Sequence, residues 1–331
     1  MEFLFGSTQP KPKPPRTKAH KRPHLRTTMK CSPVGLGKRI AKSCYTPAIL
    51  ELIRKSYNRD HPAAEQIHTT DPTEIWKQLN AKLVHCSKED CWLNQIKDTA
   101  LRKKIDRYIF APDQPYEWKA NPNEWLSNYD ILNVLEQYEI RYPEFEFIGP
   151  TPIDFDTRIG SNGRNQYEMT GASESTGTRK CVWNDLCQFS LKQLMTRRKR
   201  KIGIVFNLDK HNESGSHWVS MFIDIPRRFM FYFDSAGGDM PPEIRVLMDR
   251  IHGQAKELFR GGFREYANGK HAHQRGNTEC GMYSLFFIIT MLTGRPRQEG
   301  RRMSLERILR LFLKERITDK QMTDYRGEYF N

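Results

Sequence analysis

Residues 271–290 read HAHQRGNTECGMYSLFFIIT and place Cys280 directly before an apolar run from Met282 to Leu292. A run of this length and composition predicts a buried helix that begins at the cysteine. The unused N–H groups and the positive dipole end at the start of a helix stabilise a thiolate, which is the nucleophilic form of cysteine. This stretch therefore predicts an activated nucleophile at Cys280.

A cysteine nucleophile needs a base, and the base needs a partner that orients it. Upstream, His217 opens the run HWVSMFIDI, and Asp234 lies at the end of the run FMFYFDS. Both runs are rich in aromatic and β-branched residues, and residues 226–228 between them suit a hairpin turn. The start of the first strand then lies beside the end of the second, so we expect His217 next to Asp234.

Gln274 precedes the nucleophile by six residues, across a bend at Gly276 and Asn277. Its side-chain N–H and the backbone N–H of Cys280 are predicted to stabilise the oxygen that becomes negative in acyl transfer. Taken singly, a histidine at a strand start, an aspartate before a serine and a cysteine before an apolar helix are common structural residues. The order His, Asp, Gln, Cys, with each residue at the end of an element, favours the catalytic interpretation.

The strings His217-Trp218, Phe233-Asp234-Ser235 and residues 274–283 resemble the SUMO (ubiquitin-like-protein) proteases and the adenovirus protease. Within that group the chain is most similar to the maturation cysteine proteases of large nucleocytoplasmic DNA viruses, of the African swine fever virus and giant-virus type. The resemblance implies an α+β fold. A central mixed β-sheet is flanked by helices, the nucleophile lies at a buried helix N-terminus, and an all-helical domain precedes this core.

The resemblance also implies an activity, which is cleavage after Gly-Gly in viral structural or core polyproteins during virion maturation. No cofactor is expected, and the expected location is the host cytoplasm, at assembly sites, and the virion. Trp125-Leu126 matches a string of the SUMO proteases, although the following Ser127-Asn128 departs from their usual Asn-Asp. Trp125 and Trp218 are therefore predicted to form a slot that admits only glycine, and core anchoring is the alternative role of Trp125. The predicted substrate-binding set is completed by Gly281 and Asn277.

Three other functions remain open at this point. A SUMO or ubiquitin-like deconjugating isopeptidase would recognise the same glycines on a folded domain. An acyltransferase would use the same four residues to pass the acyl group to an amine. A basic virion protein could use the fold only to bind DNA, although an inert relative would be expected to lose at least one catalytic residue.

The positive charge of the chain is concentrated near its N-terminus. The net charge is +15, and residues 1–40 contain ten Lys or Arg against one acid, Glu2. A basic, Pro-rich segment of this kind predicts a disordered arm over 1–39. It is a candidate for attachment to DNA or an anionic surface, or for nuclear import. The block RRKRK at 197–201 is interpreted as a solvated helix end or as a site for an acidic partner.

The remaining pattern divides the chain into a helical accessory domain over 40–112 and a protease core over 113–331. Helical spacing over 46–57, 73–83 and 100–109 defines the first domain, which by resemblance supports activity or substrate docking. In the core the sequence predicts strands over 202–208 and 263–266 and an irregular stretch over 149–164. Helices are predicted over 181–195, 241–259 and 305–312.

Seven cysteines without a regular framework suggest a reducing compartment. The closely spaced His85, Cys86 and Cys91, with Cys181 and Cys187 as a distant second pair, invite a zinc site. Their spacing does not match a usual zinc finger, so we predict no metal. The sequence contains neither an apolar run long enough for a membrane span nor the apolar core of a signal peptide.

Overall fold

The computed structural model describes residues 29–159 and 180–331, which form a helical N-terminal region and a sheet-based region. The three helices predicted for the first region are present. Each begins after a residue whose side chain accepts a hydrogen bond from the N–H three positions on, as in helix N-caps. These helices are α1 (Pro47–Arg59, capped by Thr46), α2 (Pro72–Lys82, capped by Asp71) and α3 (Thr99–Ile109, capped by Asp98).

The segment before α1 is folded, which corrects the boundary predicted for the disordered arm at residue 39. Residues 1–28 of that arm lie outside the described residues. Cys31 forms a disulfide with Cys44 and a β-bridge with Phe110, and Val34 is buried. The overall composition of the basic stretch does not predict this anchoring, because it depends on one cysteine and a few apolar residues at the end of that stretch.

Six of the seven cysteines are paired, and Cys280 is free. The expectation of cysteines without a framework is therefore wrong, and the cysteine pattern no longer argues for a reducing compartment. Sequence spacing does not reveal such pairs, because bonding depends on how the backbone turns between the two residues. The disulfides are Cys31–Cys44, Cys86–Cys91 and Cys181–Cys187.

The main sheet has five strands in the order β1-β4-β5-β6-β7. The β1–β4 and β6–β7 pairs are parallel, while β4–β5 and β5–β6 are antiparallel, so the predicted mixed sheet is confirmed. A separate two-stranded ladder joins β2 (Arg158–Ile159) to β3 (Lys180–Cys181). The strands of the main sheet are β1 (Phe145–Pro152), β4 (Lys201–Asn207), β5 (Trp218–Asp224), β6 (Phe229–Phe233) and β7 (Arg264–Ala267).

The edge strand β1 corrects the irregular stretch that the sequence predicts from residue 149. Pro150 and Pro152 argue against a strand because proline lacks the N–H of a ladder. An edge position tolerates proline, and the register of β1 shifts between Ile148 and Thr151. The strand therefore continues through the prolines with one irregularity.

Helices cover both faces of the sheet, which confirms the α+β fold. Alternate residues of β6 enter two separate cores, with Phe231 in one and Met230 and Tyr232 in the other. The first core contains α4 (Asn128–Arg141), α8 (Cys280–Thr293), α9 (Leu305–Lys314) and α10 (Asp319–Tyr329). The second contains α5 (Asn184–Cys187), α6 (Leu191–Thr196) and α7 (Pro242–Leu258).

Two of these helices need comment. The single helix predicted over 181–195 is wrong, because α5 ends at Cys187 and Ser190 starts α6 as a new N-cap. By contrast, α8 is buried along its whole length except for its last residue, Thr293, as its apolar sequence predicts. Within the described ranges, none of the helices is both long enough and apolar enough to cross a bilayer.

Candidate active site

Strand pairing brings His217 and Asp234 together. In the antiparallel β5–β6 pair Ser220 lies opposite Phe233, so Asp234 falls opposite Val219, and His217, two residues before Val219 on the same face, is its diagonal neighbour. Nε2 of His217 lies 2.7 Å from Oδ1 of Asp234. The register of the two strands thus fixes the imidazole–carboxylate pair that the sequence predicts.

Backbone groups hold the carboxylate of Asp234 in place. Its Oδ1 accepts the N–H of Ala236 at 2.8 Å, and its Oδ2 accepts the N–H of Gly238 at 2.9 Å. The buried amide of Asn268 bonds both the N–H and the C=O of Asp234, at 2.9 and 2.7 Å. Burial raises the pKa of Asp234, but the hydrogen bonds from His217 and the two backbone N–H groups outweigh it and hold the pKa below its ordinary value. Asp234 is therefore an ionised, oriented acceptor.

His217 is protonated at neutral pH. Burial disfavours the charged ring, but hydrogen bonds to Asp234 and Cys280 and the charges of both partners outweigh it, raising the pKa of His217 to about 9. Because Nε2 is occupied by Asp234, Nδ1 is the ring nitrogen left for the sulfur of Cys280. The arrangement supports an imidazolium that stabilises a neighbouring thiolate.

Cys280 is the first residue of α8 and is 1% exposed. The residue before it, Glu279, accepts the first helical hydrogen bond, from the N–H of Tyr283 at 2.9 Å. The N–H of Cys280 is among the donors that a helix leaves unused at its start. It is therefore available to a developing oxyanion, and its role in binding that oxyanion stays a prediction.

Gln274 is oriented through both ends of its amide. Its Oε1 accepts the hydroxyl of Ser235 at 2.7 Å, and its Nε2 donates to the carbonyl of Gly276 at 2.9 Å. One N–H of Nε2 remains for an oxyanion. Sequence reasoning missed Ser235 as an orienting residue, although it directly follows Asp234 in the string Phe233-Asp234-Ser235.

A carboxylate from α10 holds the loop that carries Gln274. Asp319 accepts the backbone N–H groups of Arg275 at 3.1 Å and Gly276 at 3.0 Å. It also accepts the hydroxyl of Tyr283, on α8, at 3.0 Å. Asp319 therefore joins the loop to the nucleophile helix. No sequence motif marks Asp319, because it lies far along the chain from both the loop and the nucleophile helix.

Arg326, also on α10, is a second residue that sequence reasoning missed. Its guanidinium forms an ion pair with Glu279, at 3.0 Å from Nη2 to Oε1, and donates to the carbonyl of Glu124 at 2.9 Å. It also lies 4.1 Å above the ring of Trp118. One side chain thus connects the residue before the nucleophile to the segment that carries Trp125.

The two tryptophans line a cleft of about 570 Å³ with Leu126 and parts of β1 and β4. The indole of Trp218 is buried and donates to the carbonyl of Leu126 at 3.0 Å, which fixes the segment around Trp125. Trp125 itself is half-buried. A Cβ added at Gly281 would lie 2.9 Å from Cβ of Leu126, so α8 and this segment approach as closely as glycine allows.

Asn277 is the predicted site residue that the structure does not join to the others. It is exposed, and among the described residues it makes no hydrogen bond or ring contact. Its place in the loop before α8 leaves it on the surface near Cys280. A role in substrate binding stays a prediction.

The potential ligand atoms of His85, Cys86 and Cys91, a ring nitrogen and two sulfurs, lie within 4.8 Å of one another. In the structure the two sulfurs form a disulfide, and Cys181 is bonded to Cys187. Bonded sulfurs are not thiolate ligands. In the described part of the chain these four cysteines therefore form two cross-links.

Comparison with known proteins finds relatives that are named as proteases. The model of the Ulp1 protease family, C-terminal catalytic domain, matches residues 195–330. A SUMO-1 cysteine protease of African swine fever virus is 26% identical over 85% of this chain and 99% of its own length. A thiol protease of Acanthamoeba polyphaga mimivirus is 32% identical over 54% of this chain, and the match spans only 52% of that longer protein.

The fold of this chain is similar to the crystal structure of an African swine fever virus protease, with a TM-score of 0.59 and 21% sequence identity. The superposition covers 92% of this chain and 97% of that chain, so it includes the helical N-terminal region. The domain matched by the family model contains His217, Asp234, Gln274 and Cys280. Residues 195–330, about two fifths of the chain, are therefore similar to the catalytic domain of the Ulp1 protease family.

Proposed function

We propose that the chain is an endopeptidase that cleaves after Gly-Gly, and that its substrate is a viral structural or core polyprotein processed during virion maturation. It would act at assembly sites in the host cytoplasm and in the virion. The observation that carries this proposal is the cleft lined by Trp125, Leu126 and Trp218, in which Leu126 also packs against Gly281, the residue after Cys280.

The site residues supply each step of thiol hydrolysis. The Cys280 thiolate attacks the scissile carbonyl carbon, and the resulting oxyanion accepts hydrogen bonds from Gln274 Nε2 and the Cys280 N–H. His217 donates its proton to the leaving amine, which gives a thioester on Cys280. Water, deprotonated by His217, then attacks the thioester and releases the acid and the thiol. Asp234 keeps the imidazole oriented and stabilises its charged form.

The preference for glycine follows from the shape of the cleft. Trp125 lines the cleft, and Trp218 is fixed in its wall by the hydrogen bond to Leu126. A substrate residue with a Cβ would need additional space beside the two indoles. Two successive glycines would bring no side chain into this cleft.

A second candidate is removal of SUMO or a ubiquitin-like protein from an amine. The relative from African swine fever virus is described as a SUMO-1 cysteine protease, which favours testing this activity. The superposition with the viral protease also covers the helical region α1–α3, so the likeness extends beyond the catalytic region. Acyl transfer to an amine and a purely DNA-binding role are tested in the same experiment.

The experiment compares peptides that differ only before the cut. A peptide with Gly-Gly-Ala should be cleaved after the second glycine, while matched Gly-Ala-Ala and Ala-Gly-Ala peptides should be cleaved at least tenfold more slowly, as read by mass spectrometry. Cys280→Ala and His217→Ala should abolish cleavage with an unchanged circular dichroism spectrum. Equal cleavage of all three peptides would reject the Gly-Gly proposal, and persistent cleavage by Cys280→Ala would reject the thiol mechanism.

Two further arms separate the alternatives. Cleavage of a SUMO–lysine conjugate much faster than of the candidate core polyprotein would assign the isopeptidase activity. Amide products formed with an added primary amine, at the expense of hydrolysis, would assign acyl transfer. Binding of DNA by a protein that cleaves none of these substrates would assign the non-enzymatic role.

A further inference from the structure

A cavity of about 330 Å³ lies at the end of α8 that is farthest from Cys280. Its walls come from both regions of the chain. Pro33 and Leu36 belong to the folded segment before α1, and the other walls are the end of α4, the start of β4, the last turn of α8 and the segment after it. Four cations and one acid line it: Arg141, Lys201, Arg295, Arg302 and Glu144.

Three of these cations lack an acidic partner. Among the described residues no carboxylate lies within 4.0 Å of the guanidinium of Arg141, Arg295 or Arg302. Elsewhere on the chain arginines are commonly paired, as in Arg245 with Glu265 and Arg307 with Glu315. The lining therefore carries an excess of positive charge that the described residues do not neutralise.

Arg141 provides an independent observation. Its Nε is buried and has no hydrogen-bond acceptor. Leaving a buried donor of a charged group without a partner costs about 1–3 kcal/mol or more, so such groups usually meet a ligand, an ion or water. An acceptor in the cavity would remove this penalty.

Neutralising the negative end of α8 does not account for all four cations. Lys201 already serves that purpose, because its Nζ donates to the carbonyl of Leu292 at 2.8 Å. Burial lowers the pKa of Lys201, which reflects how far this ammonium is removed from water. The three guanidinium groups remain in excess of what a single helix end requires.

We propose that this cavity binds a compact molecule that carries two or more phosphate groups. Guanidinium groups bind phosphate through paired, charge-assisted hydrogen bonds, and three of them around one cavity suit several phosphates. A volume of about 330 Å³ fits a small molecule and excludes a nucleic-acid duplex. A bound anion would contact Arg141 and Lys201 of the catalytic region next to Pro33 and Leu36, and would so fasten the N-terminal segment to the core.

The test uses the full chain and two probes, inorganic triphosphate and ATP, in calorimetric titrations at constant ionic strength. Arg302 is exposed, so Arg302→Ala is expected to fold, and a melting curve without ligand verifies this. Arg301→Ala is the matched control, because Arg301 is the neighbouring exposed arginine and does not line the cavity. Arg295→Ala provides a second lining variant.

We expect saturable binding of triphosphate to the wild type and to Arg301→Ala, with Kd at least tenfold weaker for Arg302→Ala and Arg295→Ala. Bound ligand should also raise the melting temperature of the first two proteins only. If ATP binds more tightly than triphosphate, the ligand is a nucleotide. If the two affinities are equal, the site recognises the phosphate chain alone. Absence of saturable binding, or equal affinity of Arg301→Ala and Arg302→Ala, would overturn the proposal.

Discussion

Arg326 and Glu279 form an ion pair that is almost fully enclosed, with side chains 6% and 4% exposed. Glu279 directly precedes Cys280, while Arg326 also reaches the carbonyl of Glu124. The pair therefore sets the position of the start of α8 relative to the segment that bears Trp125. A buried pair adds little net stability, but its loss leaves an uncompensated charge inside the protein.

We predict that Arg326→Met lowers the free energy of unfolding by about 3–5 kcal/mol, because Glu279 stays buried without its partner. The double variant Arg326→Met with Glu279→Gln should recover part of that loss. Urea denaturation measures both, and Lys320→Met, an exposed position on the same helix, is the control with little effect. An unchanged midpoint for Arg326→Met would show that the pair does not hold the two segments.

The raised pKa of His217 predicts the alkaline limit of cleavage. Below a pH of about 9 the ring keeps the proton that it gives to the leaving amine, so kcat/KM should fall as the pH rises through that value. In Asp234→Asn the carboxylate is lost, and the fall should begin at lower pH by about one unit or more. Rates on a Gly-Gly peptide between pH 5 and 11 measure this. An identical alkaline limb in both proteins would contradict the assignment of the proton to His217.

The same shift predicts how stability depends on pH. A pKa raised from 6.5 to about 9 means that the folded state binds the His217 proton more tightly than the unfolded state. This stabilisation is complete below pH 6.5 and is lost between pH 6.5 and 9. Denaturation of His217→Gln should therefore show a weaker decline over that interval than the wild type, and parallel declines would argue against the raised pKa.

Ser235→Ala should lower kcat and leave KM nearly unchanged. The hydroxyl of Ser235 orients the amide of Gln274, and a hydrogen bond of this kind is worth about 1 kcal/mol, or roughly a fivefold change in rate. Gln274→Ala should lose about 10²–10³-fold, because the oxyanion donor itself is removed. Ser220→Ala, whose buried hydroxyl has no partner, is the matched control and should retain the wild-type rate. A KM effect without a kcat effect for Ser235→Ala would point to substrate binding instead.

Gly281→Ala should impair cleavage by altering the cleft. The added methyl would lie 2.9 Å from Cβ of Leu126, so one wall has to move. We expect kcat/KM for Gly-Gly peptides to fall at least tenfold, and the further change Leu126→Ala to restore part of it by making room. Steady-state kinetics of the single and double variants measure this coupling. Independent, additive effects would indicate that the two residues do not shape the cleft together.

The sequence predicts that His217 and Asp234 are neighbours and that Cys280 begins a buried helix, because each residue lies at the end of an element that the local sequence specifies. His217 and Asp234 border two aromatic strands, and their hairpin pairing alone makes them neighbours. Cys280 starts a run so apolar that only a buried helix accommodates it. These positions follow from the hydrophobic periodicity, the turn between the strands and the expected burial of the apolar run. Contacts between residues far apart in sequence are not needed.

The groups that hold the reacting residues escape such reasoning. Arg326 is 47 residues from Glu279 in sequence, and Asp319 is 43 from Gly276, so nothing local marks either contact. The disulfide partners are close in sequence, at separations of 13, 5 and 6, but spacing does not reveal them because bonding depends on how the backbone turns between the two cysteines. In β1 the rule that proline disfavours strands gave the wrong prediction. Pro150 and Pro152 are compatible with a strand only where one edge is free, as it is in β1.

The parallel pairing of β1 with β4 limits how far the chain can be truncated from its N-terminus. The family match starts at residue 195, yet β1 covers the edge of β4, and Trp125 with Leu126 forms a wall of the cleft. A fragment trimmed to residues 195–331 would keep every reacting side chain. It would also bare a strand edge prone to aggregation and leave Arg326 without the ring of Trp118 on which it rests. We therefore expect the smallest active fragment to begin upstream of Trp118, well outside the residues that the family model matches.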